Sequence, residues 1–238
     1  LMGLPTSIYA LGVGQVWISV GLAIGYTISW LVEAPRLRRF SIVANDSITI
    51  PQYLTNRFLS KSKALQIICA VIFLVAYTVY AASSVKACGT LFNTVTGMDE
   101  TAAMYLASII IIGYTFLGGF SAVCWTDFFQ GMLMLGALLI APIFALFMLQ
   151  GMGVHAVDTP DYFNAFSSWK DIVSGLGWGL GYFGMPHIII RFMSLESQKS
   201  LKKSAKIGIT WTVLIVIFAA AVGIIGRLFL GYDEAING

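Results

Sequence analysis

Gly175-Leu176-Gly177-Trp178-Gly179-Leu180-Gly181-Tyr182-Phe183-Gly184-Met185-Pro186-His187 is the stretch on which the fold turns. It lies in a run without Asp, Glu, Lys or Arg from Ile172 to Ile190. Five glycines and one proline nevertheless fall within the twelve residues from Gly175 to Pro186. An interior glycine costs a helix about 1 kcal/mol against alanine, and a proline about 3 kcal/mol. The run is apolar enough to cross a membrane and too helix-averse to cross it as one regular helix. Backbone that leaves the helix at membrane depth must be buried in protein or line a cavity. Discontinuous helices of this kind hold substrate and ions in secondary transporters. Trp178, Tyr182 and Pro186 are four apart, so any surviving helix sets them in one stripe beside the bend. Gly177, Gly179, Gly181 and Gly184 are the candidate breaking positions. Close helix packing is the plain alternative, since glycines let membrane helices approach; Gly177, Gly181 and the pair Gly118-Gly119 suit it.

Outward from this stretch the same lack of charge recurs. No Asp, Glu, Lys or Arg occurs in Leu1–Val32, Ala64–Val85, Thr101–Thr126, Phe128–Val157 or Ile207–Gly226. Each run reaches the roughly 20 residues that a helix needs to cross a hydrocarbon core. Of the 238 residues, 58% are hydrophobic and 11% charged, and mean hydropathy is +0.84. A soluble domain carries about 25% charged residues. The runs do not alternate as barrel strands do. These features predict an all-α integral membrane protein in contact with the lipid bilayer. The reading sets a single transmembrane domain over 1–238, with a half span near 1–10. Full spans follow near 12–32, 64–90, 101–119, 128–150, 172–191 and 207–230, with an interfacial helix near 51–58.

Loop charges orient the spans. Six basic and two acidic residues lie between Glu33 and Lys63, including Arg36, Arg38, Arg39 and Lys61. Five basic and one acidic, Glu196, lie from Arg191 to Lys206, among them Lys199, Lys202 and Lys203. The other connections are acidic on balance, with Asp99 and Glu100, Asp158, Asp161 and Asp171, and Asp233 and Glu234. The positive-inside rule places the loops 33–63 and 191–206 in the cytoplasm. Strict alternation then puts a tight turn at Gly118–Asp127 inside as well. By the same topology Leu1–Ala10 is the outer half of a span, so the sequence reads as cut from a longer protein.

Other candidates carry two readings each. Asp127 is a carboxylate between two uncharged runs, hence a candidate functional group, or a helix N-terminal residue near the cytoplasmic face. Tyr77 and Tyr80, with Ser83 and Ser84, form a polar stripe that suits either a cavity wall or bonds to neighbouring helices. Gln15 needs a partner within its span or sits at the interface. Lys86 snorkels. Cys69, Cys88 and Cys124, with isolated His155 and His187, lack metal-ligand spacing, so no metal cluster and no cofactor are expected. No nucleophile with its base, P-loop or carboxylate pair is present, which argues against an enzyme. The small net charge of +3 gives no reason to expect a nucleic-acid partner.

Leu1-Met2-Gly3-Leu4-Pro5, Gly118-Gly119-Phe120 with Trp125-Thr126-Asp127, and Gly177 to Gly184 followed by Pro186-His187 resemble the sodium:solute symporter family. Arg191-Phe192-Met193 extends the match. The resemblance implies part of a LeuT-type inverted-repeat fold, from the outer half of core helix 1 through core helix 7. It implies sodium-coupled import of a small amino acid, with L-proline the best guess, across a bacterial cell membrane. Other substrates of the family, or a sensor domain ahead of a signalling kinase, are the alternatives. It implies substrate contact for Trp178, Tyr182 and Pro186, a functional role for Tyr80, and an inner sodium path or gate at Asp127. The proline-transporting members carry Glu where this chain has Gln15, and Gln where it has Met185. Both positions border the site, and Gln15 and Tyr80 are counted with the substrate-binding candidates. The family's sodium ligands come from segments outside this sequence, so none is expected within it, and the fragment alone is not expected to transport.

Overall fold

A computed structural model describes residues 3–59, 62–152, 161–166, 168–195 and 197–231. Leu1, Met2, Lys61, His155, Asp158, Glu196, Asp233 and Glu234, named above, lie outside the described residues. The described regular structure is helical throughout. Among the described residues, four stretches are long and apolar enough to cross a membrane: Val13–Val43, Ala64–Thr96, Glu100–Leu149 and Ser200–Leu230. The chain divides into two compact units, Leu1–Tyr53 with Met134–Gly238, and Leu54–Leu133, where sequence alone suggests one domain.

The first unit begins with α1, Gly3–Leu11. The chain turns at Gly12 (φ 104°, ψ 178°), a conformation open in practice to glycine alone. A single 3₁₀ turn, Val13–Gln15, then leads into α2, Val16–Ile28. The helix does not stop near residue 32. It widens into a π turn at Ser29–Glu33 and continues as α3, Ala34–Val43. Pro35 explains the widening: proline donates no hydrogen bond, and its ring collides with the carbonyl four residues back in a regular helix. A π turn just before it absorbs that misfit. Ser29, fully buried, donates to Glu33 Oε2 at 2.7 Å across the turn.

The remaining elements of this unit are α7 (Trp169–Gly177), α8 (Pro186–Met193) and α9 (Gln198–Leu230). The Ser197 hydroxyl caps α9 by accepting from the Ser200 amide at 3.2 Å. The helix therefore starts within the basic segment, nine residues before its apolar run. Trp30, Ala34, Ile188, Phe192, Leu201 and Ala205 form a buried core where α3, α8 and α9 meet the π turn. Helix α1 lies against α9 so closely that a Cβ at Gly223 would stand 2.7 Å from the Pro5 carbonyl oxygen.

Among the described residues of this unit, Arg227 is the buried charge. Arg227, 1% exposed, lies between the rings of Tyr9 and Tyr162, at 5.6 and 5.5 Å from their centroids. Tyr9 donates to the Gly231 carbonyl at 2.7 Å, and Tyr162 to the Ile8 carbonyl at 3.0 Å. Cation–π attraction and these bonds tie α1, the segment 161–166 and the end of α9 together. Burial raises the Tyr162 hydroxyl pKa, against the opposing pull of Arg227. The phenol therefore stays protonated and able to donate. In the sequence Arg227 directly follows the uncharged run Ile207–Gly226, and nothing local marks it as buried.

The second unit contains α5, Ala64–Thr96, and the first part of α6, Glu100–Met152. Thr90 donates to Glu100 Oε1 at 2.7 Å, Asn93 Nδ2 donates to the Met98 carbonyl at 2.8 Å, and Asp99 accepts from the Ala102 amide at 3.0 Å. These bonds close the α5–α6 hairpin locally. As one straight rod α6 would be ~80 Å long, far beyond a ~30 Å hydrocarbon core. It is interrupted at Gly119 (φ 55°, ψ −150°), again a glycine-only conformation. The turn expected over Gly118–Asp127 thus shrinks to one residue. Helix resumes at once because no glycine or proline follows until Gly131, and Thr126 bonds back to the Ala122 and Val123 carbonyls. Helix α4, Ile50–Arg57, bridges the two units in sequence, and Thr49 accepts from its Gln52 amide at 3.4 Å.

Candidate functional site: a broken helix beside a cavity

Helix α7 is capped by Ser168, which accepts from the Asp171 amide, and ends at Gly177. The chain then tightens into a 3₁₀ segment, Trp178–Phe183. Its last bond runs from the Gly184 amide to the Gly181 carbonyl at 3.1 Å. Met185 is extended (φ −77°, ψ 107°), as a residue before proline prefers. Pro186 opens α8, where its missing N–H is no loss. Hydrogen bonding restarts from the Met185 carbonyl, which accepts from both Ile188 and Ile189. Helix is therefore absent from the chain at Gly184–Met185 and distorted for the six residues before it.

The glycines of this stretch divide into two kinds. Gly175 and Gly179 press on Gly21 and Gly25 of α2, backbone to backbone. A Cβ at Gly21 would lie 2.3 Å from the Gly175 oxygen, one at Gly25 2.2 Å from the Gly179 oxygen, and one at Gly179 2.2 Å from the Gly21 oxygen. Two Gly-xxx-Gly faces thus cross at contact distance. A Cβ at Gly177 would meet nothing within 4 Å, one at Gly181 only Met185 Cε at 3.7 Å, and one at Gly184 only the Gly181 oxygen at 4.0 Å. Packing therefore requires Gly175 and Gly179, while Gly177, Gly181 and Gly184 have room for a side chain. Gly21 and Gly25 were not singled out from sequence, although their four-residue spacing was there to be read.

A cavity of about 470 Å³ opens at the 3₁₀ segment. Gly3, Leu4 and Ser7 of α1, Ile18 and Leu22 of α2, Trp178 and Tyr182, and Thr212, Ile215 and Val216 of α9 line it. The wall is mostly apolar with three hydroxyls, the usual make-up of a small-molecule site. Ser7 donates to the Gly3 carbonyl at 2.8 Å. Sequence reading missed Ser7 and Thr212, since a hydroxyl on an apolar helix carries no sign of which face it occupies.

Of the expected site residues, the structure brings Trp178 and Tyr182 together on one wall. Pro186 lies beyond the break as the first residue of α8, and Gln15 ends the 3₁₀ turn that starts α2; neither lines the cavity. Tyr80 and Asp127 are exposed residues of the second unit. The Tyr80 ring lies 6.0 Å from that of Tyr77, and its carbonyl accepts from Ser83 and Ser84. Those serine hydroxyls thus turn to their own helix. Among the described residues no three His, Cys, Asp or Glu side chains converge on one point.

Apolar helices of spanning length define a multi-pass membrane protein, and the helix broken at Gly184–Met185, with a cavity beside it, marks its candidate site. A sequence profile of the sodium:solute symporter family matches residues 1–236, and the chain belongs to that family. Its all-helical build agrees with the LeuT-type fold that the resemblance implies. It is 42% identical over 233 residues to the high-affinity proline transporter PutP of Bacillus subtilis, covering 95% of this chain and 49% of that protein. It is 43% identical over 235 residues to the sodium/proline symporter of Staphylococcus aureus, covering 97% of this chain and 46% of that protein. The chain thus spans about half the length of these relatives. No solved structure matches it.

Proposed function

We propose that this chain is part of a sodium-coupled symporter that imports L-proline across the bacterial plasma membrane. The observation that carries the reading is the cavity at the helix break, with Trp178 and Tyr182 on its wall. An apolar wall with a few hydroxyls suits a compact, largely apolar amino acid. The names of both relatives point to the same substrate class. In this reading the loops 33–63 and 191–206 face the cytoplasm. Trp178 and Tyr182 contact substrate, and Pro186 maintains the break. Tyr80, Gln15 and Asp127 act from the rest of the translocation path, Asp127 at the inner sodium path or gate.

Transport proceeds by alternating access. Sodium binding stabilises one open form and completes the substrate pocket, so occupancy of each site raises affinity at the other. A membrane potential adds about 2.3 kcal/mol per charge per 100 mV. No covalent chemistry on the substrate is involved. The test is uptake of labelled proline by the full-length protein in vesicles. Uptake is expected to collapse when choline replaces sodium; undiminished uptake in choline would sink the symport reading. Competition by other small amino acids and organic acids fixes the substrate.

A further inference from the structure

We propose that Tyr26 of α2 is a positioning residue for Tyr182, and that Tyr26 and Trp30 together form an aromatic bridge across the helix break. The proposal rests on the reading of the cavity as a substrate site. Tyr182 stands before the break and Phe192 after it, and no regular helix joins them through Gly184–Met185. They are joined instead through α2 and its π turn. The Tyr182 ring lies 5.1 Å from Tyr26 at 64°, Tyr26 lies 6.2 Å from Trp30 at 74°, and Trp30 lies 4.7 Å from Phe192 at 68°. All three pairs are edge-to-face, within the range where aromatic rings attract.

The two ends of the bridge differ. Trp30 is 8% exposed and Phe192 fully buried, so that end is fixed in the close-packed core. The other end is Tyr182, half-buried, which lines the cavity and rests on Tyr26. Helix α9 closes the back of the bridge at Gly208, where a Cβ would stand 3.2 Å from Trp30 Nε1 and 3.3 Å from the Tyr26 hydroxyl. Tyr182 sits in a 3₁₀ segment whose own hydrogen bonding ends two residues later. Its orientation is therefore held from the side, by Tyr26. Removing that ring leaves space into which Tyr182 can withdraw from the cavity.

The experiment compares sodium-driven proline uptake by the full-length transporter and its variants in vesicles. Tyr26→Ala is expected to raise the apparent KM about tenfold, the factor that corresponds to 1.4 kcal/mol, with the maximal rate within about twofold of wild type. Tyr26→Phe keeps the ring and is expected to restore the wild-type KM. An unchanged KM in Tyr26→Ala, or a Tyr26→Phe variant as impaired as Tyr26→Ala, overturns the proposal. A second measurement does not depend on transport. In a double-mutant cycle of Tyr26→Leu and Tyr182→Leu, the loss of Tm in the double variant is expected to be smaller than the sum of the single losses. Additive losses overturn the bridge. Absence of proline uptake by the wild type would fell the functional reading alone, and the cycle then decides the bridge by itself.

Discussion

The molecule interrupts its helices in two ways. At Gly119 a single residue leaves the helical region and the helix resumes on the next. Between Trp178 and Met185 the chain spends eight residues outside regular α-helix. The first interruption is a kink, which needs only one backbone conformation closed to other residues. The second is buttressed: Gly175 and Gly179 lie on α2, Tyr182 lies on Tyr26, and a cavity opens beside it. A turn can be local. A longer stretch of irregular backbone at membrane depth needs neighbours to hold it, because lipid cannot satisfy its polar groups.

The largest effect that sharpens this contrast is expected at the glycine crossing. Gly179→Ala places a Cβ 2.2 Å from a backbone oxygen that cannot step aside. A loss of about 4 kcal/mol, at the upper end for single substitutions, is expected, read as collapse of the folded yield and of Tm in detergent. Gly177→Ala, two residues away, meets nothing within 4 Å and should change Tm little. Equal losses at the two positions would erase the distinction between packing and open glycines. Next comes Gly119→Ala, which strains the backbone by about 1–3 kcal/mol. Gly113→Ala in the same helix has a helical conformation and open space, and serves as the neutral control.

Smaller effects are expected on the wall of the cavity, and they should appear in transport before stability. Trp178→Ala is expected to raise the apparent KM for proline about tenfold or more, since it removes a large ring from the wall. Thr212→Val keeps the shape and removes one hydroxyl, so a change of roughly fivefold is expected, the size of one net hydrogen bond of about 1 kcal/mol. Both are measured as uptake kinetics at fixed sodium. A Thr212→Val variant with wild-type KM would show that its hydroxyl does not face the substrate.

Much of this was legible in the residues. The uncharged runs set the all-helical membrane class, because charge in hydrocarbon is costly and backbone there must bond to itself. The helix-averse composition of Gly175–Pro186 announced the break, and Trp178 and Tyr182 were picked out as its aromatic wall. The continuation of α2 through a π turn was not read, although Pro35 marked the place. The four-apart pairs Gly21/Gly25 and Gly175/Gly179 were visible as spacings but not as partners.

Composition and local backbone preference by themselves thus determined which stretches are apolar enough to cross a membrane and which one cannot be plain helix. These are properties of short windows, settled by solvation and by allowed dihedral angles. Only the tertiary structure decided which glycines carry packing and which stand open. It decided that Ser7 and Thr212 share a wall with Trp178 and Tyr182. It also decided that Tyr182 packs against the ring of Tyr26, 156 residues away in sequence. Such facts depend on which helix faces meet, and no window of sequence contains both faces.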